Sequence, residues 1–221
     1  SEGQRKSFMR YAKNIFVITD ALLDTDARFI ATHVDRKPVR LAWFGNVESL
    51  HGLAHIRPVL DQLLDTELHL ITSHEYKFRF VGNAPHSARE FVNLTRLPIV
   101  FHLWSIRDYV RDLTLCDIAL IPVEPGSNYN QHKPAGRMLL SMMLGLPVIA
   151  SPVESYQEIV AQSGCGFIAH DHAEWVAHIN TLATSKSLRS EMGKRGREFA
   201  LTHYSEEKFA ARYDAVIHQL I

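Results

Sequence analysis

Cysteine is nearly missing from this sequence. Cys116 and Cys165 are the two in 221 residues, far apart and without a Cys-x-x-Cys pair, which excludes a disulfide scaffold and a zinc framework and points to buried free thiols in a reducing compartment. Net charge is missing too. Lys plus Arg and Asp plus Glu stand at 24 each, so no global field draws the molecule to nucleic acid or an anionic membrane, and any anion site must be local. No apolar run approaches the roughly 20 residues that a membrane crossing requires, and a soluble, cytoplasmic protein is the expectation. Neither Gly-x-Gly-x-x-Gly nor Gly-x4-Gly-Lys-Ser/Thr occurs, which argues against an ordinary NAD or ATPase site. No internal repeat or low-complexity tract points to a solenoid. The chain opens on Ser1-Glu2-Gly3 without an initiator Met or a targeting pattern, and we read it as a piece of something longer.

What is present, from residue 39 onward, is alternation. Short β-rich apolar runs take turns with longer segments at helical period, the pattern of a parallel sheet covered on both faces. Strands are predicted at 39–45, 67–73, 99–104, 117–122, 147–151 and 166–170, with a seventh at 76–81. Ser105-x-x-Asp108, Ser155-x-x-Glu158 and Asp171-x-x-Glu174 each place a capping side chain three residues ahead of an acid and predict helix starts. Beyond residue 171 the strands stop, and 173–183, 187–203 and 205–221 read as three amphipathic helices, the last two a packed C-terminal tail. Residues 1–38, with one strand-like run at 14–20, read as a linker or a remnant of an N-terminal domain, and 39–221 as one domain.

The stretch Lys133 to Pro152 carries the functional argument. Pro134 suits a first helical turn and Gly145 a left-handed helix end, which predicts a helix over 134–144. Met138, Leu139, Leu140, Met142, Met143 and Leu144 leave it almost no polar face, so it must be enclosed. Its N-terminus follows a strand, at the edge where a parallel sheet binds ligands, and it offers free N–H groups and partial positive charge there. Lys133 and Arg137 add two cations at the wrong end of that dipole, at ~0.3 to 1 kcal/mol each unless an anion answers them. A phosphate answers both.

The order "DIALIP", a variable loop, "GRMLLSMMLGLPVIASPVESYQEIV", "GCGFIAH" and then "SLRSEMGKRGREFALTHYSEEKFAARYDAVI" resembles the C-terminal half of family 4 GT-B glycosyltransferases over roughly 39–221. The resemblance implies an α/β, Rossmann-like domain that grips a nucleotide-diphosphate sugar and faces a second such domain holding a saccharide or lipid-linked acceptor. The donor would be a substrate rather than a cofactor, in a metal-independent hexosyl transfer of polysaccharide biosynthesis. The isolated chain would scarcely turn over, since any group facing the acceptor would lie in the other domain. On this resemblance Gly45 and Asn46, then His51 beside Gly52, lie under the diphosphate, and Trp104 and Ser105 fall where relatives seat the base. Asn46 and His51 replace an Arg and a Lys of many relatives. His132 and Leu140 stand where the family carries two glutamates eight residues apart. A subset of relatives has a basic residue at the position of Arg137, and Glu158 matches a family Glu before Ile-Val.

Each residue also has a plainer reading. Lys133 and Arg137 suit any solvated loop–helix junction, Glu158 can simply close a capping box with Ser155, Gly45 can be a turn glycine, and Trp104 can fill the core. The loop 124–132 is either a sugar-holding element or a lid without contacts. Thirteen histidines include His51 and His55 at i, i+4 and His170-x-His172, but neither pair has an evident third ligand. Two rival functions follow. Leu140 and His132 favour a degenerate, non-catalytic domain that binds a phosphorylated sugar or a protein partner. A sugar-nucleotide epimerase on the same architecture would need its own acid–base groups in the cleft.

Overall fold

The computed structural model describes residues 5, 6, 8–12, 15–18, 21–73, 88–126 and 128–220. Six parallel strands carry it: β1 Val39–Phe44, β2 Thr66–Thr72, β3 Ile99–Leu103, β4 Ile118–Ile121, β5 Val148–Ala150 and β6 Gly166–Ile168. Each lies inside a predicted run except β2, which starts one residue earlier. The predicted seventh strand, 76–81, lies outside the described residues. Of the strand-like run at 14–20, residues 15–18 are in no strand and the rest lies outside the described residues.

Helices connect the strands. They are α1 Leu50–His55, α2 Arg57–Leu60, α3 Ala88–Leu94, α4 Tyr109–Thr114, α5 Asn128–Gln131, α6 Gly136–Met143, α7 Glu154–Ser163, α8 His172–Thr184, α9 Lys186–Tyr204 and α10 Glu206–Leu220. The sheet order is β3-β2-β1-β4-β5-β6. The chain therefore builds outward from β1 through β3 and returns to lay β4 on the other side of β1. That reversal opens a crevice between the carboxyl ends of β1 and β4, the position at which doubly wound sheets bind ligands.

The strand period of two splits the core into two layers. Ala42 and Phe44 of β1 pack with Val110, Leu113, Met138, Met142, Tyr156 and Ile159 on one face. Leu41 and Trp43 pack with Leu50, Leu53, Phe91, Trp175 and Ile179 on the other. Burying each large side chain among these stabilises the fold by about 1.5–3 kcal/mol, and because both faces are covered there, β4 and β5 read as continuous apolar runs rather than alternating ones. Leu22 and Ala31, ahead of β1, belong to the first layer. Leu22 makes a parallel bridge with Ser205, and Ala31 N–H donates to Leu144 O at 2.8 Å. Among the described residues no helix is long and apolar enough to cross a membrane.

Helix starts depart from the sequence reading at three of the four predicted places. Asp171 does cap α8, accepting from Glu174 N–H at 2.8 Å. Ser105 does not start a helix: it opens a turn in which its carbonyl accepts from Asp108 and Tyr109, and α4 begins at Tyr109. Ser155 is no cap either, since α7 begins at Glu154 after Val153 and the Ser155 hydroxyl is donated elsewhere. Finally, α6 starts at Gly136 with Ala135 as its N-cap, so Pro134 stands before the helix rather than in its first turn, while the end falls as predicted at Gly145, φ +79°.

Candidate functional site

The crevice is walled by the residues that follow β1 and β4. Gly45 leaves β1 at φ +155°, a backbone setting that L side chains rarely adopt. Its N–H donates to Ile71 O at 3.3 Å, and its carbonyl accepts from the buried Thr72 hydroxyl at 2.7 Å. A Cβ here would stand 3.2 Å from a guanidinium nitrogen of Arg137. Opposite, Gly52 of α1 lies so close to the end of β4 that a Cβ would meet Pro122 O at 2.4 Å.

Arg137, on the first turn of α6, reaches over this carboxyl edge. It donates to Phe44 O at 3.2 Å, and its guanidinium carbon lies 5.7 Å from the Trp43 ring centre. Among the described residues no carboxylate forms an ion pair with it. Burial pulls its pKa below the ordinary value, opposed by the adjoining Tyr156 hydroxyl. A guanidinium has five N–H donors, and in this half-buried one a carbonyl takes up one of them while the Tyr156 hydroxyl adjoins it. The arrangement can answer a planar or tetrahedral anion arriving from the open side.

Lys133 stands in the loop before α6, half-buried. Burial lowers its pKa, the Arg137 charge lowers it further, and Glu124 counters both. The first turn of α7 brackets this segment. Ser155 donates to Lys133 O at 2.9 Å, Tyr156 lies against Arg137, and Glu154 pairs with Lys6 at 2.9 Å and with His132 at 3.9 Å. Reading Ser155 as a cap concealed its part here. Thr72 also escaped the sequence reading, its only signal being a hydroxyl at the carboxyl end of a predicted strand.

The remaining predicted residues are distributed around this edge. Asn46 is exposed and precedes a 3₁₀ turn, Val47–Ser49, without capping it through its side chain. His51 is half-buried on α1. Trp104 follows β3, its N–H donating to Thr72 O at 2.9 Å, with its ring 5.9 Å from Tyr109. It is 46 % exposed and does not fill the core. Ser105 Oγ accepts from Arg107 N–H at 3.3 Å within the turn. Glu158 is exposed on α7, closes no box with Ser155, and bears on the Tyr204 hydroxyl. Leu140 packs against the apolar layer of α6.

A hollow of about 160 Å³ adjoins the crevice, lined by Glu124, Gly126, Gln131 and Ser151. A larger cleft of about 500 Å³, beside Asp35, Arg36 and Arg189, opens at the opposite end of the strands, near Val39, so size alone does not mark the site. Among the described residues no group of three or more His, Cys, Asp and Glu is placed to hold a metal ion. His172 Nε2 instead faces the His55 carbonyl at 3.1 Å.

A family model described as Glycosyl transferases group 1 matches residues 40–185. The chain belongs to this glycosyltransferase family. Solved structures share its fold. Sucrose-phosphate synthase from Thermosynechococcus elongatus superposes with a TM-score of 0.76 at 17% identity, over 100% of this chain and 57% of that one. WaaG, a glycosyltransferase involved in lipopolysaccharide biosynthesis, gives 0.70 at 15% identity, over 96% and 59%. HepE of Anabaena, solved in complex with UDP and glucose, gives 0.61 at 14% identity, over 83% and 48%. The chain thus spans less than two thirds of each, and within the family it fits a C-terminal, Rossmann-like GT-B half. No curated protein sequence matches it.

Proposed function

We propose that the chain is the donor-binding domain of a glycosyltransferase that moves a sugar from a nucleotide-diphosphate sugar to a saccharide or lipid-linked acceptor. The observation that carries the reading is Arg137: a half-buried cation without a carboxylate, at the crevice where the strand order reverses, bonded to Phe44 O. Charge develops on the departing diphosphate, and fixed donors there stabilise it. Arg137, Lys133 and the Gly45 backbone hold the diphosphate in this reading, with Asn46 and His51 beneath it. The exposed face of Trp104, with Ser105, takes the base, and Glu158 contributes from α7. The hollow at Glu124 and Gln131 receives the sugar.

Residues 39–221 form the donor domain, with 1–38 a linker or remnant. The acceptor lies in a preceding domain, and the whole enzyme works in the cytoplasm in polysaccharide biosynthesis. The complexes of Anabaena HepE with UDP support a uridine nucleotide as the first to try. Melting the protein with UDP-, GDP- and ADP-sugars tests the proposal, because a ligand selective for the folded state must raise the midpoint. A shift with none of them favours the second reading, a non-catalytic domain. Leu140 and His132, standing where the resemblance places glutamates, are the observation behind that alternative.

A further inference from the structure

The crevice and the hollow beside it carry charge of opposite sign. In sheet order, the carboxyl ends of β3, β1, β4 and β5 are followed by Trp104, Gly45, Glu124 and Ser151, so the proposed base, diphosphate and sugar positions lie in that sequence along one edge. The hollow of about 160 Å³ stands at the last two. Among the described residues that line it, Glu124 is the only one with a charged side chain, and the cations Lys133 and Arg137 do not line it.

Nothing charged in the hollow offsets that carboxylate. Ser151 is buried and its hydroxyl is engaged by Val123, accepting from the N–H at 2.9 Å and donating to the carbonyl at 3.2 Å. Asn130 Nδ2 donates to the Glu124 backbone carbonyl at 2.9 Å, which fixes the segment and leaves the acid alone. Among the described residues the Glu124 carboxylate forms no ion pair. Two basic groups feel its charge. Burial and Arg137 lower the pKa of Lys133 and Glu124 opposes them, while burial and His172 lower that of His55, again against Glu124. His55 is therefore neutral at about pH 7.5, and in the nucleotide reading Lys133 answers the diphosphate.

We propose that Glu124 sets the charge class of the donor sugar: the site favours a sugar without an acid group and disfavours a uronate. This rests on the nucleotide reading, which puts the sugar in the hollow. One group serves both halves of the discrimination. A neutral sugar donates its hydroxyls to the carboxylate in charge-assisted hydrogen bonds. A sugar acid brings a second carboxylate, and in so small a hollow it stays inside the Debye length of Glu124, about 10 Å at 0.1 M salt. Glu124 is exposed, so water screens the pair, and the repulsion weakens binding without abolishing it.

Matched donors test this, because UDP-glucose and UDP-glucuronate, like GDP-mannose and GDP-mannuronate, differ only in a CH2OH or a carboxylate at one sugar carbon. Titration calorimetry of the 221-residue chain with both pairs and with UDP and GDP, at about 0.05 M salt, gives the ratio of affinities within a pair. The expected result is an acid sugar bound about 3- to 30-fold more weakly than its neutral partner. The ratio should fall toward one in Glu124→Gln, invert in Glu124→Lys, and shrink at about 0.5 M salt. Equal affinities within a pair, or a ratio that neither substitution moves, overturns the proposal while bound UDP or GDP leaves the nucleotide reading standing. Binding of neither nucleotide removes that reading, and the selectivity with it.

Discussion

Replacing Arg137 by Met keeps most of the side chain's length and removes its charge. In the free protein the change forfeits the 3.2 Å bond to Phe44 O, worth about 0.5–1.5 kcal/mol, and the contact with Trp43, worth about 0.5–1 kcal/mol. It also removes a half-buried cation without a carboxylate, whose partial desolvation carries a cost of its own. These terms oppose each other, and free-protein stability should change by no more than about 1 kcal/mol, or about 2–4 °C in midpoint for a chain of this size. With nucleotide bound, the variant loses a charge-assisted contact worth about 1.5–3 kcal/mol, so the dissociation constant for UDP should rise about 10- to 150-fold. Titration calorimetry measures the affinity and a thermal scan without ligand measures the fold. Arg137→Lys restores the charge but not the fork, and should recover part of the loss. An unchanged UDP affinity in Arg137→Met refutes the diphosphate site, and a collapse of the free protein by more than about 10 °C shows that the guanidinium is a structural keystone.

Gly193→Ala should destabilise the protein by about 1–3 kcal/mol or more, since the new methyl group would stand 2.0 Å from Gly145 O where α9 crosses the end of α6; an unchanged urea midpoint contradicts that crossing. Asp171→Ala should cost about 0.5–2 kcal/mol through loss of the α8 cap, with a matching rise in amide exchange at Glu174, whereas Ser155→Ala should leave exchange in the first turn of α7 untouched. His33 donates from Nε2 to Gly145 O at 2.9 Å and keeps a buried, unpartnered Nδ1. Burial pulls its pKa below the ordinary value, with Asp117 opposing and Arg189 and Arg36 assisting. Its contribution to stability is therefore complete above the unfolded value of about 6.5 and lost as the pH falls below it. Urea midpoints from about pH 7.5 to 5.5 should fall less steeply in His33→Gln than in the parent, and equal slopes refute the assignment.

The sheet was legible because its central strands bury apolar side chains on both faces. Val39–Phe44 and Ile118–Ile121 have side chains to bury in both layers, so they stand out as runs bounded by polar residues or glycine. The tail helices were legible by period. Caps were less so, because Ser155-x-x-Glu158 and Ser105-x-x-Asp108 satisfy a local pattern that the chain beyond it decides: Lys133 O, 22 residues away, claims the Ser155 hydroxyl. Of the site, Arg137, Lys133 and Gly45 could be found from a glycine after a strand and cations at a helix entrance. Their meeting depends on β4 lying beside β1, and that adjacency is a property of strand order. Thr72 and Tyr156 act through it and carry no local mark.

An unpaired cation in the crevice is a choice the fold could have avoided. Glutamate at position 140 would lie one turn along α6 from Arg137, and an i, i+3 pair on a helix stabilises by about 0.2–0.5 kcal/mol. Leu140 packs instead with the apolar layer, and Glu154, near the same loop, is engaged by Lys6 and His132. The free protein thus keeps Arg137 without an ion pair, in the manner of sites whose groups are held ready for a charge that arrives with the ligand. The same reasoning predicts the outcome of supplying the carboxylate. Leu140→Glu should lower the midpoint of the free protein, because the apolar packing it gives up, up to about 1.5–3 kcal/mol, outweighs an i, i+3 pair of about 0.2–0.5 kcal/mol, and it should weaken UDP binding because the acid competes with phosphate for one guanidinium. Tighter binding would mean that residue 140 itself contacts the nucleotide and that Arg137 alone does not define the donor pocket.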